Sequence, residues 1–239
     1  MSPVDVVRIR AEFPGRPIEY YPTVDSTMTT AARCPPGAVV VAGEQTAGQG
    51  RHGHSWHSEA GAGLYFSIVL EPAPVLTLAL GLAVQSALQD VAGIACDLRW
   101  PNDVMLGGKK LAGILVQLVD GKAIAGIGIN LTHTAFPEEL ASEATSIKLH
   151  TAREPEPTGL VIALIHAIET FAAEDQDAVL RLFTHASSYA VGRRVTVNQP
   201  GGVISGTTSG LDSSGFLIVR KDDGTDTLIL AGGVRAAGS

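Results

Sequence analysis

Cysteine is nearly missing from this 239-residue sequence: only Cys34 and Cys96 occur, far apart and outside any C-x-x-C spacing. That excludes a disulfide framework and a cysteine zinc site, and a reducing cytoplasm is the compartment expected. Aromatic residues make up 5% of the chain and lysine occurs at five positions, Lys109, Lys110, Lys122, Lys148 and Lys221. Positive charge is the minority, 17 Lys and Arg against 24 Asp and Glu for a net −7. Such a balance argues against a generally basic nucleic-acid surface, while leaving room for a local basic site. Long hydrophobic runs are also lacking. The most apolar stretch, residues 73–88, contains Thr77, Gln85 and Ser86 and runs into Gln89-Asp90. It is shorter than the ~20 residues a membrane span needs and reads as a buried helix. Charges interrupt the N-terminal MSPVDVVRIRAEF, so no signal peptide is expected.

What the chain does have is 45% hydrophobic residues with 17% charged, a composition able to bury a core. Its length suggests one sizeable domain with a small appendage. Ser26-Thr27 can open a short helix that stops before Pro35-Pro36. Residues 38–44 read as a buried strand, 64–70 as a second and 96–100 as a third, with a core helix over 75–91. Between 45 and 63 no hydrophobic period survives, and a long loop is expected there. After the turn Pro101-Asn102-Asp103, the segments VML, GGKK and LAGILVQLV read as a hairpin, and Asp120-Gly121 as a two-residue hairpin turn into KAIAGIGINL. Strands from 38 to 131 are thus expected in one sheet. Apolar spacing predicts helix over 158–188, with residues 154–157 as the linker before it. Past Val191 the texture changes to short alternating strands, giving an expected large unit at 1–189 and a small β unit at 190–239.

Three constellations can carry chemistry. In Gln45-Thr46-Ala47-Gly48-Gln49-Gly50-Arg51-His52-Gly53-His54-Ser55-Trp56, glycines let backbone amides approach an anion and Arg51 supplies a fork of donors. Gly48-x-Gly50-x-x-Gly53 formally matches a dinucleotide fingerprint, but no helix-forming segment follows it, which disfavours a Rossmann dehydrogenase. Metal ligation by His52, His54 and His57 is likewise disfavoured, because a glycine loop without cysteine or paired carboxylates is a poor rigid shell. In Arg99-Trp100-Pro101-Asn102-Asp103 with Gly107-Gly108-Lys109-Lys110, a strand-edge lysine can neutralise a phosphate or carboxylate. Asp103 can hold magnesium or orient an amine, and Asn102 can bond a ligand without charge. In Gly126-x-Gly128-Ile129-Asn130, positions without side chains let a ligand lie against a strand within reach of Asn130, although tight strand–helix packing explains the glycines equally well. Trp56 suits stacking on a base, and Trp100, which ends an apolar strand, suits the core.

Taken in order, QTAGQGRHGHSW, RWPND, KKLAGIL and GIGINL, with DST at 25–27 and ATSI at 144–147, resemble the biotin protein ligases, the biotin-[acetyl-CoA-carboxylase] ligase family. The resemblance covers nearly the whole chain. It implies an α/β (α+β) catalytic domain with a mixed sheet, followed by an SH3-like β domain. It implies ATP and biotin as substrates with Mg2+, biotinyl-5'-AMP as intermediate, and a lysine of a biotin carboxyl carrier protein or carboxylase domain as acceptor. It also implies residue roles. Ser26, Thr27, Gln45, Gln49, Gly50, Arg51, Lys110, Gly113 and Gly128 would contact biotin. Arg51, Trp56, Asn102, Asp103, Lys110 and Asn130 would contact the adenylate, with Lys110, Arg51 and Asp103 catalytic and Asp103 a magnesium contact. Gln49, Met28, Arg99 and Gln117 depart from the family pattern of arginine, asparagine, lysine and glutamate. Some members carry an N-terminal winged helix-turn-helix; only about 20 residues precede the DST motif here, so no DNA-binding role is expected. No membrane partner is expected, and the oligomeric state is open, a homodimer included. The rivals are a lipoate-type ligase of the same superfamily and a non-catalytic adenylate- or biotin-binding module.

Overall fold

The computed structural model describes residues 4–151, 156–199 and 202–237. Its first layer is a seven-stranded sheet built from β1 (Ile18–Tyr21), β2 (Val39–Ala42), β3 (Gly63–Leu70), β4 (Asp97–Arg99), β5 (Asp103–Leu106), β6 (Lys109–Val119) and β7 (Lys122–Asn130). The order is β1-β2-β3-β7-β6-β5-β4. Only the β1–β2 pair is parallel, which makes the sheet mixed as expected. Both hairpin turns fall where glycine allows them. Gly107 and Gly108 take φ +58° and +77°, and Asp120 and Gly121 take +49° and +77°, the left-handed pair that matches the twist of the flanking strands.

Helices α1 (Val6–Glu12), α3 (Leu76–Ala92) and α5 (Pro157–Ala172) contribute to one core with the sheet, and α2 (Thr27–Ala31) packs on a second cluster. Strand alternation divides the two: Val39, Val41, Phe66 and Ile127 join the large core, while Val40, Val69 and Ile124 meet Met28 and Ala31 of α2. α3 closes at Gly93, whose N–H reaches Gln89 O at 2.9 Å in the left-handed conformation.

The helix expected over 158–188 is two helices. α5 is followed by α6 (Gln176–Ala186), because Asp175 accepts from the Ala178 N–H and starts a new helix. α5 begins at Pro157 with Glu156 as its cap; of the expected linker, residues 154 and 155 lie outside the described residues. A short α4 (Glu138–Ala141), α1 and β1 were not expected from the sequence.

The C-terminal unit is a five-stranded antiparallel sheet of β8 (Val191–Gln199), β9 (Gly202–Leu211), β10 (Leu217–Arg220), β11 (Asp226–Ile229) and β12 (Gly233–Ala236), in the order β11-β10-β9-β8-β12. Val195, Val197, Leu217 and Val219 join the large core. The Trp100 Nε1–H donates to Gly215 O at 2.8 Å, and the Ser187 hydroxyl donates to Leu98 O at 2.6 Å. Trp100 is therefore a core residue, 3% exposed. Both cysteines are free thiols, and burial pushes Cys96 up to about 12.

Candidate active site

The face of the large sheet that carries α2 is where the motifs converge. Its floor runs across four strands: Ser67 of β3 pairs with Gly126 of β7, Gly128 of β7 with Gly113 of β6, and Gly113 with Asp103 of β5. A Cβ on Gly126 would lie 2.5 Å from Met28 Sδ, and one on Gly128 2.3 Å from the Trp56 ring. A Cβ on Gly113 would meet the same ring at 2.8 Å and the Lys110 side chain at 3.0 Å. Close packing accounts for these glycines in the structure: Gly126 admits Met28 of α2, and the flat Trp56 ring lies on the strands over Gly113 and Gly128. Met28, one of the departures from the family pattern, fills the space over Gly126 and is 5% exposed.

At one end of this floor stands a neutral polar cluster. The Thr27 N–H and hydroxyl donate to Gln45 Oε1 at 2.9 and 3.0 Å, and Gln45 Nε2 donates to Ser58 Oγ at 2.9 Å. The Ser67 hydroxyl donates to Thr27 Oγ1 at 2.8 Å. Ser26 was expected to cap α2, but its side chain makes no cap hydrogen bond. Its Oγ is buried without a hydrogen-bond partner among the described residues, as is Trp56 Nε1. Buried polar atoms are ordinarily satisfied, so both are available to a ligand's polar atoms.

At the other end is a charged cluster. Asp103 Oδ2 accepts from Arg99 Nε and Nη2 at 3.1 and 2.7 Å, and Lys110 Nζ forms an ion pair with Oδ1 at 2.6 Å. Arg51 Nη1 donates to Asn102 Oδ1 at 3.0 Å, and Asn102 Nδ2 donates to Ile114 O at 2.9 Å. Burial pushes the Asp103 carboxyl up, but Lys110 and Arg99 together outweigh it and hold the group below its usual range. Burial lowers the Arg51 pKa, with Asp103 opposing. Three cations around one carboxylate leave a local excess of positive charge in a chain of net −7. Lys110 Nζ also stands 5.4 Å from the Trp56 ring centroid, within cation–π range.

The glycine loop joins these ends. It is tied to itself by Gly50 N–H to His54 O at 2.7 Å and Trp56 N–H to Gly48 O at 2.8 Å, and to the DST segment by Ala47 N–H to Asp25 O at 2.8 Å. A Cβ on Gly48 would sit 2.6 Å from Trp56 O, so this turn requires glycine. The loop leads into no helix long enough for a dinucleotide fold: residues 51–53 form one short turn and β3 follows. Gln49 is exposed and bonds Thr29 Oγ1 at 3.3 Å and Gln117 Nε2 at 3.5 Å, so two departures from the family pattern contact each other. Asn130 is buried and its Nδ2 donates to Thr145 O at 2.9 Å, which holds the ATSI segment beside β7.

His52 and His54 stay exposed and apart from other ligating groups, whereas His57 meets Glu59 and His133. Sequence reasoning missed the last two, since His133 is 76 positions from His57. A cleft of about 560 Å³ opens between residues 72–78, Trp100-Pro101 and residues 214–216. Arg51 is the one predicted site residue that lines it.

A glycine floor with neutral donors at one end and cations at the other is an arrangement suited to a polar-headed acid beside an anionic group. The family model described as "Biotin/lipoate A/B protein ligase family" matches residues 20–133, and that described as "Biotin protein ligase C terminal domain" matches residues 190–234. The chain is 32% identical to "Biotin--[acetyl-CoA-carboxylase] ligase" of Mycobacterium tuberculosis, over 82% of this chain and 77% of that one. It is also 32% identical to "Bifunctional ligase/repressor BirA" of Bacillus subtilis, over 90% of this chain and 73% of that protein. The structure resembles "Biotin protein ligase from Aquifex aeolicus in complex with biotin and ATP" with a TM-score of 0.82 at 30% identity, covering 92% of this chain and 99% of that one. This chain belongs to the biotin protein ligase family.

Proposed function

We propose that this chain activates biotin with ATP as biotinyl-5'-AMP and transfers it to a lysine of a carboxylase's biotin carboxyl carrier protein or domain. The observation that carries the reading is the floor of Ser67, Gly126, Gly128 and Gly113 between the neutral and the charged cluster. Counted on to Asp103 of β5, the fourth strand, it spans about 14 Å, a length suited to a fused-ring urea bearing a five-carbon acid tail. Ser26, Thr27 and Gln45 supply the groups for the urea, Gly50, Gly113 and Gly128 the walls for the tail once the Trp56 ring lying over the last two moves aside, with Gln49 at the rim, and Lys110 meets the carboxylate.

In the first half-reaction a carboxylate oxygen of biotin forms a bond to the α-phosphorus of ATP, and the bond to the β-phosphate oxygen breaks to release pyrophosphate. Lys110 and Arg51 stabilise the charge that grows on the phosphoryl oxygens, an effect strongest where water is excluded. In the second, the neutral amine of the acceptor lysine attacks the anhydride carbonyl, AMP leaves and the amide nitrogen gives up one proton. Trp56 covers the adenine, Asn102 contacts the nucleotide and Asn130 keeps the adjoining segment in place.

Magnesium enters as part of the ATP substrate. The one carboxylate in the charged cluster is a poor magnesium ligand, since both Asp103 oxygens are engaged by Arg99 and Lys110. We therefore assign Asp103 to positioning Lys110 and no step runs through the metal. The chain divides functionally at 189/190, and the C-terminal unit supports the RWPND segment through the Trp100 bond to Gly215 O. The reading has the protein act in the cytoplasm without a DNA or membrane partner. Among the described residues no helix is long and apolar enough to cross a membrane.

The decisive experiment is mass spectrometry after incubation with biotin, ATP and magnesium, with lipoate in a parallel tube, followed by a carrier domain. Biotinyl-AMP and then a mass gain on the carrier lysine are expected. Lipoyl-AMP instead would change the substrate, and biotin binding without pyrophosphate release would make the chain a binder.

A further inference from the structure

A second cluster of ligating groups forms outside the adenylation floor. His57 and Glu59 lie on the descending limb of the glycine loop, and His133 lies three residues past the end of β7. One ligand atom of each lies within 4.8 Å of those of the other two. His57 Nε2 stands 3.9 Å from Glu59 Oε2, and the His57 and His133 rings are 5.7 Å apart. His133 is 1% exposed, and neither of its ring nitrogens has a hydrogen-bond partner among the described residues. An imidazole buried in that condition is anomalous for a folded protein, where nearly every such atom is satisfied. A hydrogen-bonding role inside the protein does not account for it, whereas a ligand at the cluster does.

We propose that His57, Glu59 and His133 form a binding site for a divalent cation of the zinc type, with water as the fourth ligand. Two imidazoles and one carboxylate are a donor set such ions take. Tetrahedral bonds of about 2.1 Å place ligand atoms roughly 3.4 Å apart, closer than the observed spacing. The necessary movement falls on His57 and Glu59, whose side chains are 36% and 57% exposed. His133 is the fixed member. Phe136 stacks against its ring at 5.0 Å, and its carbonyl accepts the Ser146 hydroxyl at 2.6 Å.

The location gives the ion a consequence. His57 lies between Trp56, which covers the floor, and Ser58, which accepts from Gln45. A cation held at His133 ties this limb of the loop to the end of β7 and slows its opening. The site needs neither biotin nor ATP, so it stands or falls independently of the proposed reaction.

The test is titration of the untagged, full-length protein with Co2+ alone, followed by visible absorption, with Zn2+ as competitor. One equivalent is expected, with d–d bands, no thiolate charge-transfer band, and loss of the bands on adding zinc. His57→Gln and Glu59→Gln, both at accessible positions, should each weaken binding by about tenfold or more, while His52→Gln and His54→Gln should not. In hydrogen exchange, zinc should slow the amides of residues 56–60 in the wild type and not in His57→Gln. Absence of stoichiometric binding, or equal affinity in the wild type and both His57→Gln and Glu59→Gln, overturns the site. Unchanged exchange on binding overturns the tie to the loop.

Discussion

On one face of the seven-stranded sheet, Val39, Val41, Phe66, Ile68 and Ile127 join residues of α3 and α5 in one continuous apolar core. On the other, the same strands present Ser67, Gly126, Gly128 and Gly113 to α2 and the glycine loop. One face fills space with side chains of its own strands, and the other is filled from outside the sheet. A void over bare glycines would be costly, so the glycine floor needs a cover. Met28 and Trp56, which lie over the glycines, then replace packing that side chains on the strands would otherwise provide.

The division can be broken most severely from the packed face. Phe66 is fully buried there, and Phe66→Ala should cost about 4 kcal/mol of unfolding free energy while the folded fraction keeps its biotin affinity. Denaturant unfolding paired with calorimetry checks this; equal damage to affinity would mean that the faces are coupled. On the open face, Lys110→Ala should remove on the order of 3 kcal/mol of transition-state stabilisation, about 100-fold in pyrophosphate exchange of the folded protein. Near-normal exchange would take Lys110 out of its assigned role.

A smaller effect on stability is expected at the carboxylate between them. Because the folded Asp103 carboxyl titrates below its ordinary value, its contribution is fully present above the unfolded value near pH 3.9 and is lost as pH falls through the folded value. Asp103→Asn should cost about 2 kcal/mol at neutral pH by leaving Arg99 and Lys110 without their partner. The variant should also have a shallower acid limb below about pH 4; an unchanged limb in acid unfolding would show that the cluster titrates elsewhere. Least of all, Asp175→Ala should cost about 1 kcal/mol by uncapping α6, with the site unaffected. A loss within error would deny Asp175 its part in dividing α5 from α6.

Legibility followed the range of the interactions. The turns at Gly107-Gly108 and Asp120-Gly121 were readable because two residues set their conformation. α3 was readable because its apolar composition needs no partner to be recognised as buried. β1 was not, being four residues of a parallel pair whose partner lies across α2. The break before α6 had a local signal in Asp175, hidden by apolar spacing that continues on both sides. At the site, Lys110 was visible as a scarce residue, the glycines as permissive ones, and Arg51 as a fork of donors set among them. Glu59 and His133 were not, since nothing in their own neighbourhoods marks them.

By itself the sequence determined the family, the order of the motifs and the chemistry each side chain offers, because these depend on residue type and short spacing. The tertiary structure decided which groups act together. Strand register alone puts Asp103 opposite Gly113 and Gly113 opposite Gly128. Loop docking alone brings Trp56 over that floor and His57 to His133, because contacts between residues far apart in the chain exist only once the core has fixed where each strand lies.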